Sequence, residues 1–370
     1  MKLQEKIQFH KPITTSREFF KDNVGVKCVH YGDIYKNYSG KTIPSSRIIN
    51  NFANQVSSDK LLYCDSIIVP DVTETVSDWG HFTYIKYDGT PYINGTHAVA
   101  LTCQSEDELK YIFRYLSSNY NRKRLQTLLN GSTVFQISIK DFGRFLLEKY
   151  HESQAEQSHI VDILGSIDDK IENLEEINSK LQNYCIAKYR LLFSDVEHIP
   201  LSNIAAITMG QSPAGNTLND EDGVVFYQGR TDFGFRYPTV RLFTTDPKRM
   251  AKAGDILLSV RAPVGDVNIA AEDCCIGRGI AAVSSEYNSF VYYSILNQKS
   301  DFDIYNNSGT IFGSINRDAL SAFKIPAANI SLIETFESMA SDVDKSIHNN
   351  TKEIDKLRTL KQTYLQKFFG

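Results

Sequence analysis

The chain has 370 residues, 42% of them hydrophobic and 23% charged, and a formal net charge of −4. That length carries two or three domains with full cores, while no run of about eighteen apolar residues is present to span a membrane. The charge balance lacks the basic excess typical of nucleic-acid binding, the N-terminus MKLQEKIQFHKP lacks a signal-peptide stretch, and the six cysteines form no CxxC pair or zinc-spaced cluster, so a cytoplasmic protein with reduced thiols and no metal is expected.

Residues 1–150 mix short β-type runs with one helix. LLYCDSIIVPDV (61–72) and TPYINGTHAVALT (90–102) are rich in apolar and β-branched residues, and Ser105 with Glu108 three positions on forms a capping box before LKYIFRYLSS. A long amphipathic helix follows over 151–194, stepping through Ile160, Leu164, Ile167, Ile171, Leu174, Asn178, Leu181, Cys185, Lys188 and Leu192. Residues 195–330 repeat the mixed pattern: GDILLSVRAPVGDVNIA and DCCIGRGIAAV read as strands and FVYYSIL as a helix. The second long helix, 331–370, steps through Ile333, Phe336, Ala340, Val343, Ile347, Asn350, Ile354, Leu357, Lys361, Tyr364 and Phe368. Capping boxes at Ser153…Glu156 and Ser331…Glu334 open the two long helices.

Threes alternating with fours are the seam of a coiled coil. The two halves also match by residue: Thr133-Val134-Phe135 corresponds to Thr310-Ile311-Phe312 at an offset of 177, and Ile171, Leu181 and Phe193 correspond to Ile347, Leu357 and Phe369 at 176. Each helix has one polar seam residue, Asn178 and Asn350. Setting these opposite each other in an antiparallel pair places Ile160 against Phe368 and Leu192 against Phe336, and a paired asparagine fixes register at some cost in stability. The expected architecture is α+β: two mixed α/β domains joined by two long helices in an antiparallel coiled coil, with pseudo-two-fold symmetry. Each seam spans about 33 residues, roughly 50 Å at 1.5 Å per residue.

HIPLSNIAAITMGQSPAGNT, GDILLSVRAPVGDVNIA…CCIGRG and the helix signatures ILGSIDDKIENLEEINSKLQNYCIAKYRLLF and DKSIHNNTKEIDKLRTLKQTYLQKFF together resemble type I restriction–modification specificity subunits over essentially the whole chain. The resemblance implies a non-catalytic subunit with two target-recognition domains. Each domain would read half of a bipartite double-stranded DNA target, and the helices would set the gap. It implies two modification subunits and restriction subunits as partners, which would bring S-adenosylmethionine, ATP and Mg, with no cofactor in this chain. By omission the sequence agrees, since it has no GxxxxGK[ST] loop and no methyltransferase Asn/Asp-Pro-Pro-aromatic motif. Roughly 50 Å corresponds to about fifteen base pairs. The alternatives are a coiled-coil scaffold that binds only protein, or the specificity component of a related methyltransferase system.

Base reading needs bidentate donors and acceptors on loops. In the second domain the turn-rich stretches Gln228-Gly229-Arg230-Thr231 and Gly210-Gln211-Ser212-Pro213 offer such groups, Arg261 and Arg278 follow strands beside Gly or Pro, and Ser308 and Thr310 offer hydroxyls to a phosphate. In the first, Tyr31-Gly32-Asp33 matches Gln228-Gly229-Arg230 at an offset of 197, and Tyr35, Asn37 and Lys41 continue that loop. His81, Asn94 and His97 lie on other turns. Lys123, Arg124 and Ser132 are phosphate candidates, with Gly131 beside Ser132 either a phosphate loop or a helix stop.

Overall fold

The computed structural model describes residues 7–21, 24–147, 153–306 and 313–370. It divides into two compact units, residues 1–173 with 353–370 and residues 174–352, so the division cuts both long helices, Gln154–Phe193 and Ile330–Phe369. Each unit therefore owns a globular part and two antiparallel helix segments.

In the first unit, a five-stranded sheet runs in the order Ile7–His10, Ala98–Cys103, Ser66–Pro70, Thr83–Lys86, Thr42–Pro44. Its middle strand, SIIVP, is buried throughout, as expected of an uninterrupted apolar run covered on both faces. A second sheet holds Val26–Val29 between Asn51–Phe52 and, in parallel, Tyr92–Asn94. The helix Glu106–Ser117 starts where Ser105 accepts from the Glu108 amide at 3.4 Å. Its apolar face enters a core with Trp79, Phe82, Tyr84, Ile160 and Leu164.

In the second unit a four-stranded sheet, Ala206–Met209, Ile280–Ser284, Ile256–Ser259, Val267–Ile269, lies with a five-stranded sheet. There Val224–Tyr227 runs parallel to Cys274–Ile276. The adjacent Cys274 and Cys275 are buried side chains of that strand. The helix Asn288–Asn297 carries FVYYSIL and packs Phe290 and Tyr293 against Tyr189, Phe193, Phe336 and Ala340.

The helix seam follows the expected spacing up to its ends and then departs from it. Asn350 Nδ2 donates to Asn178 Oδ1 at 2.8 Å, with Asn178 only 3% exposed. Ile160 and Phe368 share one core, and Leu192 and Phe336 share the other. However, the last buried residues of the first long helix are Tyr189 and Phe193, in place of Lys188 and Leu192, and those of the second are Leu365 and Phe369, in place of Tyr364 and Phe368. The reason is a change of neighbour: the helix ends are held by globular cores, so the stripe relaxes from the heptad seam to steps of four, which suit a single-helix face. Phe193 stacks edge-on to Phe290 at 5.0 Å, and its equivalent Phe369 meets Tyr111 and Tyr115 at 5.7 and 5.5 Å.

Two local readings change. Asn329, not Ser331, caps the second long helix: its Oδ1 accepts from the Ser331 amide at 2.9 Å, which puts Ser331 inside the first turn. Gly131 is no helix stop, because the helix Asn119–Gln126 has already ended. It sits at φ +137° in a turn closed by the Asn130–Gln136 backbone pair, where a Cβ would meet the Val134 carbonyl at 2.1 Å.

Candidate nucleic-acid interface

Parallel pairing gathers loops. In the second unit the strands ending at Met209, Tyr227, Ser259 and Ile276 all finish at one rim, because each is parallel to its neighbour or pairs antiparallel with the start of Ile280–Ser284. Gln211, Ser212, Gln228, Arg230, Thr231, Arg261 and Arg278 occupy that rim. The Gly210 amide donates to the Ile280 carbonyl and the Gln211 amide to the Ile276 carbonyl, both at 2.9 Å. Ser212 Oγ accepts from the Arg278 amide at 3.2 Å, and the Gln228 carbonyl accepts from Gly279 at 3.3 Å. Glycine is required where these loops cross: a Cβ at Gly210 would lie 2.2 Å from the Gly277 carbonyl oxygen. The Gln228, Arg230, Arg261 and Arg278 side chains are exposed. Ser308 and Thr310 lie outside the described residues.

A buried carboxylate organises the central loop. Asp232, 3% exposed, accepts from the Gln228 amide at 2.7 Å and the Gly229 amide at 3.2 Å, and Arg241 Nε donates to its other oxygen at 2.9 Å. Thr231 Oγ1 accepts from Arg241 Nη2 at 3.2 Å. Next to it, Arg230 Nε donates to Asp266 Oδ2 at 2.6 Å and Lys299 Nζ to Asp266 Oδ1 at 2.5 Å. Burial alone would push the Asp266 carboxyl up, but the bonds from Lys299 and Arg230 outweigh it and hold the group below its ordinary value. The rim thus gathers Arg230, Arg241, Arg261, Arg278 and Lys299 on a chain of net charge −4, with Asp266 paired to Arg230 and Lys299 and Asp232 paired to Arg241.

The first unit builds its rim from different chemistry. Tyr31 follows the strand Val26–Val29, and its ring meets His97 edge-on at 5.6 Å. His97 Nδ1 lies 3.0 Å from Asp71 Oδ1. Tyr35 donates to the Val72 carbonyl at 3.1 Å and faces the His81 ring at 5.4 Å. Asn37 and Lys41 are exposed on that loop, joined by Lys41 Nζ donating to the Asn37 carbonyl at 3.0 Å. Asn94 turns inward, 2% exposed, donating to the His10 and Ala98 carbonyls. Lys123 and Ser132 are exposed. Arg124 is half-buried, with its guanidinium 5.0 Å from the Phe145 ring.

The correspondence between the loops is corrected by two positions. Asp33 Oδ2 accepts from the His30 amide at 3.1 Å, as Asp232 accepts from Gly229. Both are the third residue of a one-turn helix that follows a strand in a parallel pair. The offset is therefore 199: Asp33 stands where Asp232 does, and Tyr31 where Arg230 does. Bonded also to Asn50 Nδ2 at 2.6 Å, Asp33 holds its own loop together. Sequence reasoning missed Asp232, Asp266, Lys299 and Arg241. Only the capping spacing before Asp232 could have flagged any of them.

A family model described as the type I restriction modification DNA specificity domain matches residues 18–183 and again 194–355. A chain from Methanocaldococcus jannaschii, named as a type I restriction enzyme MjaX specificity subunit, is 29% identical over 304 residues, covering 75% of this chain and 71% of its own length. The crystal structure of a type I restriction–modification S subunit from M. genitalium has the same fold, with a TM-score of 0.59 and 17% identity across 100% of this chain and 95% of that one. With two matched copies spanning most of its length, the chain belongs to the type I restriction modification DNA specificity domain family.

Proposed function

We propose that this chain is the DNA-specificity subunit of a type I restriction–modification complex. Each unit reads one half of a bipartite duplex target, and the long helices fix the gap between the halves. The observation that carries this reading is the second unit's rim, where exposed polar side chains and arginines are presented on loops braced by the carboxylates of Asp232 and Asp266. Braced donors of this kind suit base edges, since discrimination depends on holding hydrogen-bond partners in place.

The chain contributes no chemistry of its own in this reading. Two modification subunits carry S-adenosylmethionine and methylate the target, and restriction subunits carry ATP and Mg. Their docking surface is supported by an exposed apolar row on the second unit's part of the first long helix: Ile177, Tyr184 and Leu191, 38%, 47% and 74% exposed and spaced by sevens. A helix laid along that row would bury it. Among the described residues no helix is long and apolar enough to cross a membrane.

The test is methylome sequencing of the host with and without the gene. A bipartite methylated motif should vanish on deletion, and replacing residues 195–330 by those of a relative should change one half of it only. An unchanged methylome would end the proposal.

A further inference from the structure

Two arginines flank the central loop of the second unit, and their bonding differs. Arg241 donates to Asp232 Oδ1 through both Nε and Nη2 and uses Nη2 again on Thr231, so one prong of its fork is held by the loop. Arg230 gives only Nε to Asp266, and among the described residues Nη1 and Nη2 have no partner. Its side chain is 48% exposed, whereas that of Asp266 is 14% exposed. Asp266 is itself fixed, its amide donating to Ser259 Oγ at 2.9 Å and its second oxygen taken by Lys299. A guanidinium held by its Nε edge keeps its two-pronged end free and oriented. That end matches the O6 and N7 acceptors of guanine in the major groove.

We propose that Arg230 reads a guanine in the second half-site, with Asp266 as its positioning residue. Tyr31, at the equivalent place in the first unit, presents an aromatic ring and one hydroxyl in place of the fork, so the two half-sites differ at this position. Lys299 neutralises the far side of Asp266 and, 57% exposed, adds a sequence-independent charge. This inference rests on the DNA-specificity reading and deepens it.

The experiment uses the full chain with its modification subunits and synthetic duplexes carrying the motif found by methylome sequencing. Each guanine is replaced in turn by 7-deazaguanine, which removes N7 and leaves base pairing intact. The wild-type complex should lose about tenfold in affinity at one guanine of the second half-site, within the range a bidentate contact supplies. Arg230→Ala should bind the parent and that substituted duplex equally. Asp266→Asn should reduce the discrimination without moving it to another base. Lys299→Ala should weaken all duplexes by one factor and flatten the salt slope by about one unit. Several results overturn the inference: Arg230→Ala keeping full discrimination, Arg230→Ala weakening every duplex alike as a phosphate contact would, or a motif without guanine in that half. If the wild-type complex binds all sequences equally, the underlying specificity reading has failed instead.

Discussion

Asp168 and Asp344 stand 176 positions apart, at equivalent places in the two long helices, and each fastens its globular part to its helix. Asp168 pairs with Arg114 of the helix Glu106–Ser117 and with Lys361 at 2.6 Å. Asp344 pairs with Arg236 and accepts from Ser289 Oγ at 2.8 Å and Tyr293 OH at 3.1 Å. Arg236 has no exposed side-chain surface and lies 3.8 Å from the Tyr292 ring centroid. It also sits on the segment that follows the Gln228–Asp232 loop, so this contact ties that loop's segment to the second long helix.

Removing one member of a buried pair strands the other. Asp344→Ala is expected to destabilise the second unit by about 3–5 kcal/mol, because Arg236 keeps its charge without an anion. Replacing both by apolar residues, Arg236→Met with Asp344→Leu, should recover most of that loss. Urea unfolding of the four chains of this double-mutant cycle measures it. A loss under about 1 kcal/mol for Asp344→Ala would show the pair to be no anchor.

The first unit's latch contains a cation the second does without. Lys361 corresponds to Cys185, a buried apolar-type side chain. Desolvation holds the Lys361 ammonium below its usual value despite Asp168. Lys361→Met should therefore be neutral or stabilising, within about 1 kcal/mol, since Arg114 still balances Asp168. Asp168→Ala should cost clearly more. Equal losses in thermal unfolding would contradict this account.

His81 makes the first rim sensitive to acid. Arg122 Nη2 donates to His81 Nε2 at 3.1 Å, so that nitrogen accepts, and Nδ1 carries the proton toward Ser39 Oγ. Burial, then the Arg122 charge, lower the His81 pKa below 6.5. A lowered folded value means the unfolded chain binds the proton more readily, so this contribution is complete above pH ~6.5 and is lost as pH falls through the folded value. Stability of the first unit should drop on going from pH 7 to pH 5, and His81→Gln should remove that part of the slope. Identical slopes for the two proteins in urea melts would refute it.

Much of the architecture was legible in sequence because helix seams and capping spacings are local and periodic. Asn178 and Asn350 could be set opposite each other by counting alone. The seam ends could not, since whether Phe193 or Leu192 is buried depends on Phe290 and Phe336, which arrive from elsewhere in the chain. The rim shows the same limit. Arginines beside glycines could be picked out, but Asp266 reaches Arg230 across 36 positions of chain, and Asp344 reaches Arg236 across 108. Asp266 and Asp344 leave no spacing signal; the capping spacing at Asp33 and Asp232 does, and it sets the loop correspondence two positions from the one read off the glycines.

Asn178→Leu alone leaves Asn350 facing an apolar partner and should cost about 1–3 kcal/mol, the penalty of an unsatisfied amide. The double change Asn178→Leu with Asn350→Leu should recover the loss or exceed wild-type stability, because two matched apolar residues pack in the seam without a polar cost. Register should nonetheless hold, since Phe193 and Phe369 pin the helix ends in their aromatic cores. Urea unfolding reports the stability, and the spacer length of the methylated motif reports the register. An altered spacer in the double variant would make the asparagines, rather than the aromatic ends, the element that sets the gap.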